Sequence, residues 1–209
     1  MSADPDAVEI RVVGSLLEKQ RTTPEAYPLS VNALRLACNQ STNRDPVVDY
    51  DERTVVAALE RLHRRGWTRM ASGAGSRARK YRQLVDRALD LDPEELALLC
   101  LLMLRGPQTP GELKQRSERL HPFADPAAVE AVLDRLLGRE LVVRLDRRPG
   151  QKEQRYGQLL DGGGDAAGGS VPQTRAAASP PPEDRLARLE RELAELRAEV
   201  RALTEQLGG

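Results

Sequence analysis

Nine basic side chains face only three acidic ones between residues 51 and 82, a local charge of +6 in a chain of 209 residues whose net charge is zero. Guanidinium groups present forked N–H donors that match the oxygens of a phosphate, so the chemistry this stretch can do is anion binding, and above all contact with a nucleic-acid backbone. Spacing sorts the candidates. On a 3.6-residue period Val55, Val56, Leu59 and Leu62 share one face of a helix, while Arg53, Ala57, Glu60, Arg61 and Arg64 fall opposite. Arg53, Arg61 and Arg64 are therefore the outward candidates, and Glu60 among them argues against uniform phosphate binding. Arg77, Arg79, Lys80 and Arg82 follow on a hairpin, and Asn43 and Arg44 precede the helix in a loop rich in hydrogen-bonding groups.

Other chemistries lack material. With His63 and His121 as the only histidines, neither a histidine-based triad nor a metal cluster is expected, and His63 sits at the edge of an apolar stripe, where packing explains it. Cys38 and Cys100 each lie inside an apolar helical pattern and read as buried free thiols. The glycines at 162–169 neither follow a strand nor open a helix, so they are linker and not a phosphate cradle, and Glu94 and Glu95 suit the first turn of a helix. No enzyme activity and no cofactor are expected. The longest apolar run, Leu96 to Leu104, is too short to span a bilayer, and the acidic opening is no signal peptide, which points to the cytoplasm and away from a membrane.

The elements that must position the basic residues follow from local signals. Gly66 stops the helix that opens at Asp51, Trp67–Met70 reads as a strand, residues 72–76 as a loop tip, and Arg79–Arg82 as the return strand. Upstream, Ile10, Val13, Leu16 and Leu17 mark a first helix, and Ser30 caps a second with Val31, Leu34 and Cys38 inward. Three helices and a hairpin make a winged helix-turn-helix, in which the third helix enters the major groove and the wing reaches phosphates. Its long link, Asn39–Tyr50, either contacts a nucleic-acid backbone or a partner, or satisfies its own backbone through Asx and Ser/Thr turns.

After Asp90 the order repeats. Asp92-Pro93, Thr109-Pro110-Gly111-Glu112 and Asp125-Pro126 are three helix starts, and a second hairpin runs through 141–145 and 152–158. Residues 57–67 align with 131–141, and Arg79-Lys80-Tyr81 with Gln154-Arg155-Tyr156, which marks an internal duplication. The copies differ in their third helix, whose outward face in the second copy is Ala127, Ala131, Asp134, Arg135 and Gly138. That face suits close protein packing, leaving Arg147, Arg148 and Lys152 of the second wing for any phosphate. Residues 161–182 hold five Gly and four Pro and read as a disordered tether, about 26 Å long as a flexible coil. Leu186, Leu189, Leu193, Leu196, Val200, Leu203 and Leu207 then alternate spacings of three and four, an a/d seam for a parallel homodimer; a lone helix packed back on the core is the other reading.

The expected fold is mainly α with small β-hairpin wings: winged helix-turn-helix domains at 7–89 and 91–160, the linker 161–182, and a C-terminal coiled-coil helix at 183–207. The blocks LLEKQ at 16–20, TTPE at 22–25, YPLSVNAL at 27–34, CNQ at 38–40 and NRDPV at 43–47 resemble the bacterial YceH family, as do LRGPQTPGEL at 104–113 and VVRL at 142–145. The resemblance covers roughly residues 7–160 and implies a tandem winged-helix fold, often with a C-terminal helical extension, but no reaction and no binding residues. The residues themselves favour a transcription-associated protein that binds double-stranded DNA through the third helix and wing of the first copy. A protein-interaction adaptor, resembling the winged-helix partners of chromosome-condensation complexes at the level of fold, is the alternative, favoured by the small face of the second copy and by the apolar helix from Leu96 to Leu104.

Overall fold

The computed structural model describes residues 4–71, 79–146 and 153–162. Its helices begin where side chains can satisfy the orphan N–H groups of a first turn. Helix α1 (Ala7–Thr22) is capped by Asp6, which accepts from the Glu9 N–H while the Glu9 carboxylate accepts from the Asp6 N–H, a reciprocal capping box. Ser30 caps α2 (Val31–Cys38), and Asp51 caps α3 (Glu52–Arg64). Between α1 and α2 lies the two-residue strand β1 (Leu29–Ser30). Strands β2 (Thr68–Met70) and β3 (Lys80–Gln83) follow, and β3 pairs antiparallel with both β1 and β2, giving the order β1-β3-β2.

A single turn, α4 (Val85–Ala88), leads into the second half. Helix α5 (Pro93–Arg105) repeats the capping box with Asp92 and Glu95, α6 (Pro110–Ser117) with Thr109 and Glu112, and Asp125 caps α7 (Pro126–Gly138). Strands β4 (Val142–Leu145) and β5 (Arg155–Gln158) form an antiparallel hairpin, and Gln108 bridges to Tyr156 at the place where β1 meets β3 in the first half. The two halves thus match element by element, α1 with α5, α2 with α6, α3 with α7 and hairpin with hairpin. The molecule is mainly helical with small antiparallel sheets.

Their helices α1 and α5 pack on one another, and the core runs unbroken through both halves. Gly14 makes the approach possible: a Cβ there would come within 3.1 Å of the Leu104 and Met103 side chains. Cys100 Sγ donates to the Gly14 carbonyl at 3.5 Å, and burial pushes the Cys100 thiol pKa far up, so it stays a protonated packing group. Cys38 is buried and free as well. Every residue from Leu96 to Leu104 is buried, each large side chain contributing on the order of 1.5–3 kcal/mol. The apolar helix expected as a partner surface is instead the seam between the halves. A helix that is apolar all round has no wet side to show. On α3 the buried stripe is Val55, Ala58, Leu59 and Leu62, with Val56 only half-buried.

Among the described residues no helix is long and apolar enough to cross a membrane. Arg77, Arg147, Arg148, Lys152, the tether from residue 163 onward and the heptad seam from Leu186 to Leu207 lie outside the described residues.

Candidate nucleic-acid interface

Helix α3 presents Arg53, Ala57, Glu60 and Arg64 to solvent, as its periodicity requires, and exposes His63 as well, which the sequence placed at the edge of the apolar stripe. Arg53 and Arg64 make no hydrogen bond or ion pair among the described residues. Arg61 is different. Its Nη2 lies 2.7 Å from Asp6 Oδ2 and its Nε 3.2 Å from Glu9 Oε2, so it ties α3 to the start of α1, with Glu9 itself only 3% exposed. Expected as an outward phosphate contact, Arg61 is a clamp between two helices. His63 turns its Nδ1 to the Thr68 carbonyl at 3.2 Å, joining the helix to β2, and Arg65 stacks 5.5 Å above the Trp67 ring.

The loop from 39 to 50 closes on itself. Arg44 is buried: its side chain has no exposed surface, its Nη2 meets Glu18 Oε2 at 2.6 Å, and its Nε donates to the Ala37 carbonyl at 3.0 Å. Buried arginines are kept by such multiple acceptors, which leave no donor for an outside phosphate, and Arg44 is thereby corrected from a binding residue to the loop's anchor. Asn43, at φ 58°, accepts from Arg105 Nη1 at 2.6 Å. Asn39 donates to the Tyr50 carbonyl and accepts from the Tyr50 N–H, both at 2.9 Å, closing the loop's two ends. Arg11, inside α1, donates to the carbonyls of Cys38 and Pro46, and burial lowers its pKa. The loop's amides and guanidinium satisfy its own backbone, which is the second of the two roles open to them.

The hairpin adds what the sequence periodicity did not single out. Arg69 of β2 stands directly opposite Arg82 of β3. Lys80 lies two residues from Arg82 and so on the same face, while Tyr81 and Gln83 alternate to the other. Tyr81 packs against the core and Gln83 is buried, its N–H donating to Tyr27 Oη at 2.7 Å. One face of the hairpin is therefore core and the other carries Arg69, Lys80 and Arg82. Like charges directly opposite on neighbouring strands repel. Among the described residues no carboxylate pairs with any of the three, and Arg82 Nε is buried without a hydrogen-bond partner. Arg79 is exposed at the start of the return strand. Arg69 was legible from its place in the same basic segment; its register against Arg82 was not.

On the third helix of the second half and on β4 the charges are paired within the protein. Ala127, Ala131, Asp134, Arg135 and Gly138 are exposed on α7 as expected. Arg135 Nη2 lies 3.0 Å from Asp92 and 2.9 Å from Glu94, which raises its pKa, and Arg144 on β4 lies 3.3 Å from Asp134.

Comparison with known proteins covers most of both halves. Residues 6–151 match the family described as "Protein of unknown function, DUF480". A UPF0502 protein of Geotalea daltonii is 52% identical over 88% of this chain and 81% of its own length. Another, of Pelobacter propionicus, is 51% identical over 93% and 91%. The UPF0502 protein YceH of Salmonella paratyphi B is 45% identical over the full length of both chains. The match of the family model over residues 6–151, with full-length identity of this order, shows that the chain belongs to the UPF0502 (YceH) family.

Proposed function

We propose that the chain is a DNA-binding, transcription-associated protein built from two winged helices. The first docks α3 on double-stranded DNA and lays the outer face of its hairpin along the phosphates. The observation that carries this reading is the cross-strand pair Arg69 and Arg82 with Lys80 beside it, three cations on one face without a carboxylate partner among the described residues. Such crowding is relieved when polyanion arrives, and each phosphate neutralised releases counterions. Arg53, Arg64 and Arg79 extend the same charge, and Glu60 sets a limit to it. The role is one of binding and not of catalysis, and it places the protein in the cytoplasm with the nucleoid. The heptad seam from Leu186 to Leu207 would pair two such chains in parallel; removing residues 183–209 should then halve the mass seen by light scattering.

The test is a titration of a duplex oligonucleotide at increasing salt with wild type and with an Arg69→Ala/Arg82→Ala variant. Two lost phosphate contacts should flatten the slope of log affinity against log salt by about 2, at roughly 0.9 per contact. Identical slopes, or no duplex binding by wild type at low salt, would sink the reading. The adaptor alternative keeps one observation in its favour, the exposed small face of α7 at Ala127, Ala131 and Gly138. It predicts a stoichiometric protein partner whose recovery survives nuclease treatment.

A further inference from the structure

Away from the hairpin, a second group of arginines converges where the end of α5 meets α6 and β5. Two clefts of about 470 and 480 Å³ adjoin there and share Arg105 and Arg116 in their walls; Arg119 lines the first and Arg155 the second. The acidic groups that face them are Glu18 in the first, already engaged by Arg44, and Asp45 and Glu112 in the second. The way the arginines are held matters more than their number. Arg105 Nη1 donates to Asn43 Oδ1 at 2.6 Å, and Arg116 Nη1 donates to Gln108 Oε1 at 2.7 Å. Both acceptors are neutral amides, which fix the guanidinium planes without cancelling their charge. Among the described residues Arg116 forms an ion pair with Glu112 at 3.3 Å, while Glu112 and Asp45 act on Arg105 from farther off. Burial, and next the charge of Arg116, lowers the pKa of Arg105. Arg155 makes no hydrogen bond or ion pair among the described residues, and its Nε is buried and unpartnered. Helix α6 begins at the second cleft with Thr109 and adds the positive end of its dipole.

We propose that the second cleft is a binding site for a small phosphate-bearing molecule, its phosphate held by Arg105, Arg116 and Arg155 and its body lying toward Pro107 and Gln108. A cleft of this size holds a metabolite and not a duplex, since small-molecule sites run from about 300 to 1,000 Å³. The fork geometry of three converging guanidinium groups suits the several oxygens of one phosphate. Because Asp45 belongs to the loop of the first half, and Arg116 and Arg155 to the second, the ligand would touch both halves at once.

The test is calorimetric titration of the full-length protein with inorganic phosphate, against chloride at equal ionic strength and without DNA. Saturable binding at one site is expected, weakened at least tenfold by Arg155→Gln. That substitution removes no hydrogen bond or ion pair among the described residues, and Arg105→Gln serves as an independent second variant. Arg69→Ala/Arg82→Ala should bind phosphate as wild type does, so the outcome stands apart from that of the duplex titration. A response no different from chloride would overturn the assignment, as would undiminished binding by both glutamine variants, or a loss confined to the hairpin variant. Displacement of phosphate by a duplex oligonucleotide, with equal loss of duplex affinity in Arg155→Gln, would also overturn it by making the cleft part of a nucleic-acid surface.

Discussion

The two halves share a plan and differ in how their charges are settled. In the first, Arg44 and Arg61 are consumed by Glu18, Asp6 and Glu9 in contacts between α1, the loop and α3, while Arg69, Lys80 and Arg82 are left facing outward. In the second, the corresponding helix keeps Arg135 against Asp92 and Glu94, and its hairpin keeps Arg144 against Asp134. The link between the second and third helices is also longer in the first half, 39–51 against 118–125. Duplication conserves the apolar stripes and the capping residues because every copy must fold. The outward charges are free to diverge, and on the first hairpin they are left without carboxylate partners among the described residues.

Breaking the inward clamp of the first half should have the largest effect. Arg44→Ala leaves the Glu18 carboxylate, 14% exposed, without its partner and should destabilise the protein by about 3–5 kcal/mol, read from the midpoint of urea unfolding. Next comes the seam that both halves share. Gly14→Val places methyl groups where a Cβ already meets Leu104 and Met103 at 3.1 Å, and overpacking of this kind costs about 1–3 kcal/mol. Ala at the same site should cost less, because the flexible ends of those side chains can move.

Alkaline pH separates the halves by a different route. Burial raises the Tyr27 phenol from its ordinary value to about 12. A folded-state value above the unfolded one of about 10 means that the unfolded chain loses the proton first; this contribution is full below pH 10 and falls away as pH rises toward 12. Since the phenol oxygen accepts from Gln83 of β3, unfolding by base should begin at the first sheet. Tyr27→Phe should flatten the stability profile over that interval. The smallest effect is expected from Arg135→Ala, whose ion pairs are nearly half exposed and worth under about 1 kcal/mol. A large loss there would erase the distinction between a clamped first half and a loosely paired second.

Much of the fold was legible because its signals are local. Asp51, Asp92, Thr109 and Asp125 each cap through an N–H two or three residues ahead, and a reader of the sequence sees both partners together. The fate of the arginines was not legible for the opposite reason. Arg44 finds Glu18 26 residues back and Arg61 finds Asp6 55 residues back, so outward periodicity alone could not tell a clamp from a contact surface. The arginine cleft was invisible for the same cause, being assembled from α5, α6, β5 and the first-half loop. The burial of α5 did carry a signal: nine consecutive apolar residues leave no polar face.

The contact between Cys100 and Gly14 joins residues 86 apart. On a ribosome adding about 5–20 residues each second, α1 emerges roughly 4–17 s before α5 can cover it. During that interval the side of α1 that carries Gly14 and Leu17 has no α5 to close against. A chain stopped at residue 90 would prolong that exposure indefinitely and offer chaperones and proteases an apolar helix. The first half thus closes that side of α1 only once its own duplicate has been translated.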